Sequence, residues 1–587
     1  MKFCPIIYTL IVRYVLFLGI FAVANAAETS QLPADLIIRN AKIITVNSNF
    51  ALAQAIAVRG DRIVAVGKDR ALDGFKGQNT RIIDAQGQTV MPGLHDSDVH
   101  SYQAAISDSN APPPFNSLAD AFGYIRSEAA RKPAGSWILI EHAYPTRLKE
   151  PRLPTKAELD AAAPKHPVYW NCGMVSVVNS RALDISKITD TMPVPRGSEI
   201  ETDSAGKPTG LLYRAASLLR LPPVSAPTKE QRSAALKHLY QLYNQQGITS
   251  INESGANPAA IEMFRALRDA GELTVRINCA RSVETGTDPE QTLARLEALT
   301  NAPRGKLPYG PTGVGDDWVR IGPLVTQMDG DVRTGTALLR TPWGIGPTYQ
   351  ITEPSYCGRR MQDPEQLLAL FLQAAKSGWQ LSADCTGNAA LDQLLNCYEK
   401  VQFKMDIRQR RFLINRASFQ AEEDWDRCRA LGLAASLQPA WLYCDGTSLA
   451  KTLGTARLKS FLALKVWFDA GFIVGGGSDH ESGLDSFTAT NPWNPWLGIW
   501  ITLTRKTAAG TEIHSGERLT REQAIRFYTI NNAVLNFEEQ SKGSLETGKL
   551  ADLIMIDKDI LKCPVDEIRD TKTLLTMVDG KIVWEAK

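Results

Sequence analysis

Histidine is scarce in this chain: seven among 587 residues. Four of them, His142, His166, His238 and His514, stand in no motif, and such residues are ordinarily surface or hydrogen-bonded groups rather than ligands. No two cysteines form a CxxC pair, which argues against a zinc knuckle or a thioredoxin-like redox motif. A charge excess is missing too. Sixty-five basic and 63 acidic residues leave a net +2, so nothing electrostatic recommends a nucleic-acid partner. A small-molecule substrate is the expected partner, and a homo-oligomer is allowed. Low-complexity tracts and solenoid repeats are absent. Past the N-terminus, no apolar run approaches the ~20 residues of a spanning helix.

What is present starts at the N-terminus. Lys2 precedes a mostly apolar run, Ile6 to Val23, interrupted by Arg13, and Ala24-Asn25-Ala26 supplies a small-x-small site. This reads as a signal peptide over 1–26, cleaved after Ala26, with an uncleaved anchor as the alternative. The mature protein is then expected to be periplasmic or secreted, with no membrane association. Removing Cys4 leaves eight cysteines: Cys172, Cys279, Cys357, Cys385, Cys397, Cys428, Cys444 and Cys563. A core of this size does not require disulfides, and their pairing is not legible.

Both ends read as short strands. Ala34 to Ile38, Lys42 to Val46, Ala55 to Val58 and Arg62 to Val66 open the mature chain, and Ala551 to Asp557, Leu574 to Val578 and Lys581 to Trp584 close it. Two β-rich ends around a long middle predict one β-sandwich built from 30–92 and 536–587. The middle alternates helix and strand. Asp363 caps a helix starting at Pro364, with an apolar stripe of Leu367, Leu368, Phe371, Leu372 and Ala375. Gln380 to Ala383, Arg411 to Ile414 and Phe472 to Val474 read as buried strands with polar residues soon after each. That rhythm predicts a parallel α/β architecture, whose strand ends form the mouth if it closes into a barrel.

Two segments are decisive: Val90-Met91-Pro92-Gly93-Leu94-His95-Asp96-Ser97-Asp98-Val99-His100, and Gly543-Ser544-Leu545-Glu546-Thr547-Gly548-Lys549-Leu550-Ala551-Asp552-Leu553. They resemble the opening PGxxDxHxH and closing GxLxxGKxADLxxxD motifs of the amidohydrolase superfamily, in the right order about 450 residues apart. Met328-Asp329-Gly330, Gly378-Trp379-Gln380, Ser436-Leu437-Gln438-Pro439 and Gly477-Ser478-Asp479 are similar to its YtcJ-like branch. The resemblance implies a (β/α)8 TIM barrel over 95–535. It also implies metal ligands at strand ends: the two histidines of HxH, a carboxylated lysine, two further histidines and a final aspartate that acts as general base.

Carried across residue by residue, that pattern keeps only His100 and Asp479. Asp98 replaces the first histidine, Val325 the lysine, and Asp384 and Arg416 the other two histidines. Valine cannot be carboxylated, so no binuclear zinc site is expected. Two readings remain. In one, no metal is held: Arg416 pairs with Asp384 and acts as oxyanion donor while Asp479 is the base. In the other, Asp98, His100, Asp384 and Asp479 hold a single divalent ion of the harder kind. His480 and His95 are spare imidazoles near the site. Trp493, in a cluster with Trp496 and Trp500, is a candidate lid, and Met174 stands at a candidate substrate contact. Cys385 reads as a buried structural thiol.

The implied activity is hydrolysis of a non-peptide carbon–nitrogen bond, an amide or N-substituted formamide of a small molecule. The same groups would serve a lactone or ester hydrolase, or a carbonyl hydratase or decarboxylase. A non-catalytic periplasmic binding protein is the competing class.

Overall fold

Eight short segments along the middle of the chain form parallel strands: β1 (Leu94–Val99), β2 (Ile248–Glu253), β3 (Arg276–Ser282), β4 (Val319–Gln327), β5 (Leu381–Asp384), β6 (Leu413–Asn415), β7 (Ala434–Leu437) and β8 (Val474–Gly476). They neighbour one another in sequence order, and a parallel bridge between Val99 and His480 closes the sheet into a barrel. This computed structural model describes residues 32–107, 115–195, 197–223, 225–283, 285, 288–301, 310–420 and 422–587. The proposed signal peptide, 1–26, lies outside them. No helix among the described residues is long and apolar enough to cross a membrane.

The barrel is a TIM barrel, with helices on its outside and a small β-sandwich made by the two chain ends. The helix Pro364–Lys376 shows how local sequence sets an element. Asp363 accepts hydrogen bonds from the backbone N–H groups of Glu365 and Gln366, and Pro364 lacks the N–H that would go unpaired there. Its buried face is Leu367, Leu370, Phe371, Ala374 and Ala375, whereas Leu368 and Leu372 are half-buried. The predicted stripe is therefore turned, because the helix packs against the helices Pro289–Asn301 and Asn388–Lys404 as well as β5.

Strand β8 also departs from expectation. Ile473 is 37% exposed and Phe472 packs on Trp425 and Trp467 outside the barrel, so the strand runs Val474-Gly475-Gly476. Its glycines are demanded by close approach: a Cβ on Gly476 would lie 2.1 Å from the Phe527 ring, and one on Gly475 would lie 1.9 Å from Asn532 Oδ1. Gly476→Ala is accordingly expected to destabilise the fold by about 3 kcal/mol through overpacking. An unchanged denaturant midpoint would refute this.

In the sandwich, one sheet orders Arg62–Gly67, Ala55–Arg59, Leu36–Arg39 and Arg81–Asp84. The other orders Lys581–Glu585, Thr573–Val578, Leu553–Ile556, Thr89–Pro92, Lys42–Ile44 and Leu52–Ala53, so the chain ends meet where Leu553–Ile556 pairs antiparallel with Thr89–Pro92. Asp552 of the closing motif accepts two hydrogen bonds from Arg276, at 2.6 and 3.0 Å. Arg276 opens β3 and also reaches Asp579 at 3.1 Å, tying the barrel base to the sandwich.

Between β1 and β2 the chain builds a further five-stranded sheet, ordered Glu199–Thr202, Pro208–Tyr213, Val175–Val178, Val168–Asn171 and Ile138–Glu141. It has its own core around Trp170, Val177 and Leu211.

Candidate active site

The C-terminal ends of β1, β5, β6 and β8 deliver Asp98 and His100, Asp384, Arg416 and Asp479 to one place. Arg416 follows β6 with φ +60° and Asp479 follows β8 with φ +57°, left-handed conformations that L-residues avoid. Each such residue costs on the order of 1–3 kcal/mol and persists where its surroundings over-determine it. Here the Arg416 N–H donates to Ser436 O at 2.9 Å, and the Asp479 N–H to Asp98 O at 2.8 Å.

Arg416 lies at the centre. Its Nη2 donates to Asp479 Oδ1 at 2.9 Å, and its Nε lies 3.4 Å from Asp384 Oδ2 and 3.9 Å from Asp98 Oδ2. His100 Nε2 stands 3.4 Å from Asp479 Oδ1. The other oxygen of Asp479 accepts from the Trp441 indole at 3.1 Å and from Asn491 at 3.2 Å. Asp479 thus meets four donors with the roughly four lone-pair sites of a carboxylate. Asp98 is held differently: Asn415 at 3.1 Å and Gln438 at 3.3 Å both donate to its Oδ2. Asn415 also donates to Asp384 Oδ1 at 2.8 Å.

These contacts set the charges. Burial opposes ionisation of Asp479, but Arg416, His100 and Arg333 outweigh it and hold the carboxyl well below the usual range. Asp98 is pushed up to about 6, by burial first and by the charge of Asp479 second. Burial disfavours the His100 imidazolium, yet its hydrogen bond to Asp479 and the charges of Asp479 and Asp98 raise it to about 9.

A second set of side chains continues from this centre. The Arg416 and Arg333 guanidiniums each lie 5.3 Å from the Trp441 ring centroid. Arg333, from the loop after β4, donates to Glu481 at 2.9 Å, and Glu481 also accepts from the Tyr144 hydroxyl at 3.0 Å. Asn415, Gln438, Trp441, Asn491, Arg333 and Glu481 were not among the site residues expected from sequence. For three of them a signal existed: Asn415 precedes Arg416, Gln438 follows β7, and Glu481 sits two residues past Asp479.

Four candidates lie elsewhere. His95, near the start of β1, is buried and bonded to Asn252 at 3.0 Å. His480 faces away from the cluster, with Nδ1 on the Tyr243 hydroxyl and Nε2 on Gly483 O, both at 2.7 Å. Trp493 packs behind it, 5.6 Å from the His480 ring and 5.0 Å from Tyr243. Met174 packs against the core of the inserted sheet.

Asp98, His100 and Asp479 offer ligand atoms within 4.8 Å of one another, a spacing that suits one cation. The Arg416 guanidinium already stands against Asp479, Asp384 and Asp98, so a metal ion would meet a permanent positive charge there. Val325 lines a cavity of about 20 Å³ with Asp98 and Asn415 and cannot bridge two ions. The residues present do not fit a binuclear centre.

A family model described as the amidohydrolase family matches residues 81–584. The chain belongs to the amidohydrolase family. Membership makes it a hydrolase of carbon–nitrogen bonds other than peptide bonds. Among its relatives, this amidohydrolase is 27% identical over 568 residues to the N-substituted formamide deformylase of Arthrobacter pascens, covering 94% of this chain and 98% of that one. It is 26% identical to the amidohydrolase YtcJ of Bacillus subtilis, covering 91% and 96%. A metal-dependent hydrolase from Pyrococcus horikoshii shares its fold, with a TM-score of 0.63, 20% identity, and coverage of 90% and 99%.

Proposed function

We propose that this amidohydrolase is exported and hydrolyses an N-substituted formamide or related small amide, with Arg416 supplying the positive charge that metal ions supply elsewhere in the family. The observation that carries this is the guanidinium at the focus of Asp98, Asp384 and Asp479, with a buried Nε that makes no hydrogen bond. A guanidinium has five N–H donors, enough to serve Asp479 and a substrate carbonyl together. The likeness to the formamide deformylase supports the substrate class.

In this reading the substrate carbonyl oxygen rests against Arg416, which stabilises the negative charge developing there. Water attacks the carbonyl carbon and gives its proton to Asp98, whose donors among the described residues are both on Oδ2. The carbon–nitrogen bond then breaks as His100 protonates the leaving amine. Asp479, saturated by four donors, anchors Arg416 and His100 and is a poor base. This moves the base from Asp479, the residue the family pattern implies, to Asp98.

The test is metal analysis of the purified protein, chelator treatment, and turnover of a panel of formamides, amides and lactones. Turnover that survives chelation supports the reading. A stoichiometric ion whose removal abolishes turnover overturns it in favour of the single-ion site.

A pH profile adds a second check. With Asp98 near 6 and His100 near 9, kcat/KM should rise through about pH 6 as Asp98 loses its proton and fall through about pH 9 as His100 does. Asp98→Asn should remove the acid limb.

Export rests on the N-terminal apolar run and Ala24-Asn25-Ala26. N-terminal sequencing of secreted material should begin at Ala27, and a start at Met1 would refute cleavage.

A further inference from the structure

A cavity of about 520 Å³ lies between the inserted sheet and the loop that follows β8. A relay of two side chains links its wall to the reaction centre: Arg147 donates to Asn491 Oδ1 at 2.9 Å, and Asn491 donates to Asp479. The volume suits a drug-sized group. Phe115, Tyr443 and Phe487 give it aromatic walls, and Leu484, Ala489 and Pro492 add apolar surface.

Its charge is one-sided. Arg147 is neutralised by Asp445, with hydrogen bonds at 2.9 and 3.0 Å to the two carboxylate oxygens. Glu141 lines the cavity, accepts from Asn171 at 2.6 Å, and pairs with no cation among the described residues. Asp485 accepts from the backbone N–H groups of Phe487 and Thr488, which order the carboxylate without cancelling its charge. His142 on the same wall has φ +57°, strain of the kind that collects at binding sites.

We infer that this cavity receives the substituent on the substrate nitrogen, and that it selects an arylalkyl group ending in a cation, an ammonium or amidinium seated on Glu141 between the aromatic walls. The inference rests on the amide-hydrolase reading for the word substrate, whereas the binding preference stands by itself. A cation over aromatic faces beside an unpaired carboxylate is favoured by both the ring quadrupoles and the charge.

Calorimetry on the full-length protein with 2-phenylethylammonium and its neutral counterpart 2-phenylethanol tests it. The ammonium should bind roughly tenfold tighter, the size of one hydrogen bond to a charged group. Glu141→Gln should erase that preference while leaving the alcohol's affinity unchanged. Phe487→Ala, at a position already 42% exposed and so tolerant of change, should weaken both ligands. Equal affinities in the wild type, or a preference that persists in Glu141→Gln, overturn the assignment. Binding with the stated preference but no turnover of formamides or small amides would sink the proposed substrate class and leave this one standing.

Discussion

Replacing Arg416 with methionine is expected to lower kcat/KM by about a thousandfold, the upper range for loss of one oxyanion donor. The substitution keeps volume and removes both the charge and the Nη2 donor that serves Asp479 at 2.9 Å. Arg416→Lys should recover only part of the loss, because an ammonium is a point charge without bidentate geometry. The alternative predicts the opposite sign. If Asp98, His100 and Asp479 hold an ion, removing a neighbouring guanidinium should leave activity intact or raise it. Stability supplies an independent readout. In the wild type Asp479 is held well below the usual carboxylate range, so its ionised form stabilises the fold above its unfolded pKa of about 4, and that contribution is lost as pH falls further. In Arg416→Met three carboxylates are left clustered without their guanidinium. The variant should be about 3 kcal/mol less stable at pH 7, and the gap should narrow as falling pH protonates the carboxylates that have lost their guanidinium. A gap independent of pH would mean that Arg416 acts on the fold through packing alone.

The second large effect lies at the other end of the barrel. Arg276→Met should destabilise the protein by about 3–5 kcal/mol, since it strands Asp552 as a buried unpaired charge. The double variant Arg276→Met, Asp552→Leu should recover most of that loss, because two apolar groups can replace a buried pair. Arg276 starts β3 while Asp479 follows the end of β8, so kcat should be unchanged in the double variant. Unfolding in denaturant with parallel kinetics would separate the two. A fall in kcat with stability restored would show that the barrel base communicates with its mouth.

Much of the fold was legible because local and global signals agree. Short apolar strand-like runs at both ends mark the sandwich, and Asp363 with Pro364 marks a helix start that the structure reproduces. Ile473 was misread because apolarity alone does not say which layer a residue joins, and the glycines of β8 carry no hydrophobic signal. The inserted sheet was not foreseen, since its strands interrupt the alternating rhythm without a composition shift. At the site, Asp98, His100, Asp384, Arg416 and Asp479 were named by carrying the resembled family's ligand pattern across the sequence, and the structure places each at or just past the end of a strand. His95 and His480 were drawn in by sequence proximity, yet His95 lies near the start of β1 and both His480 nitrogens are engaged elsewhere. Trp441 was missed because it reaches Asp479 from the first turn of the helix that follows β7, a relation that only the closed barrel creates.

The pairing of Leu553–Ile556 with Thr89–Pro92 has a consequence for how the molecule is made. Roughly 460 residues separate the two strands, so at ~5–20 residues per second the early strand waits about 20–90 seconds on the ribosome before its neighbour exists. Throughout that interval its backbone is an open edge able to recruit the wrong chain. Biosynthesis of this protein therefore favours a cell that shields nascent polypeptide until the final thirty or so residues emerge, and truncation there should yield aggregates rather than a lone barrel.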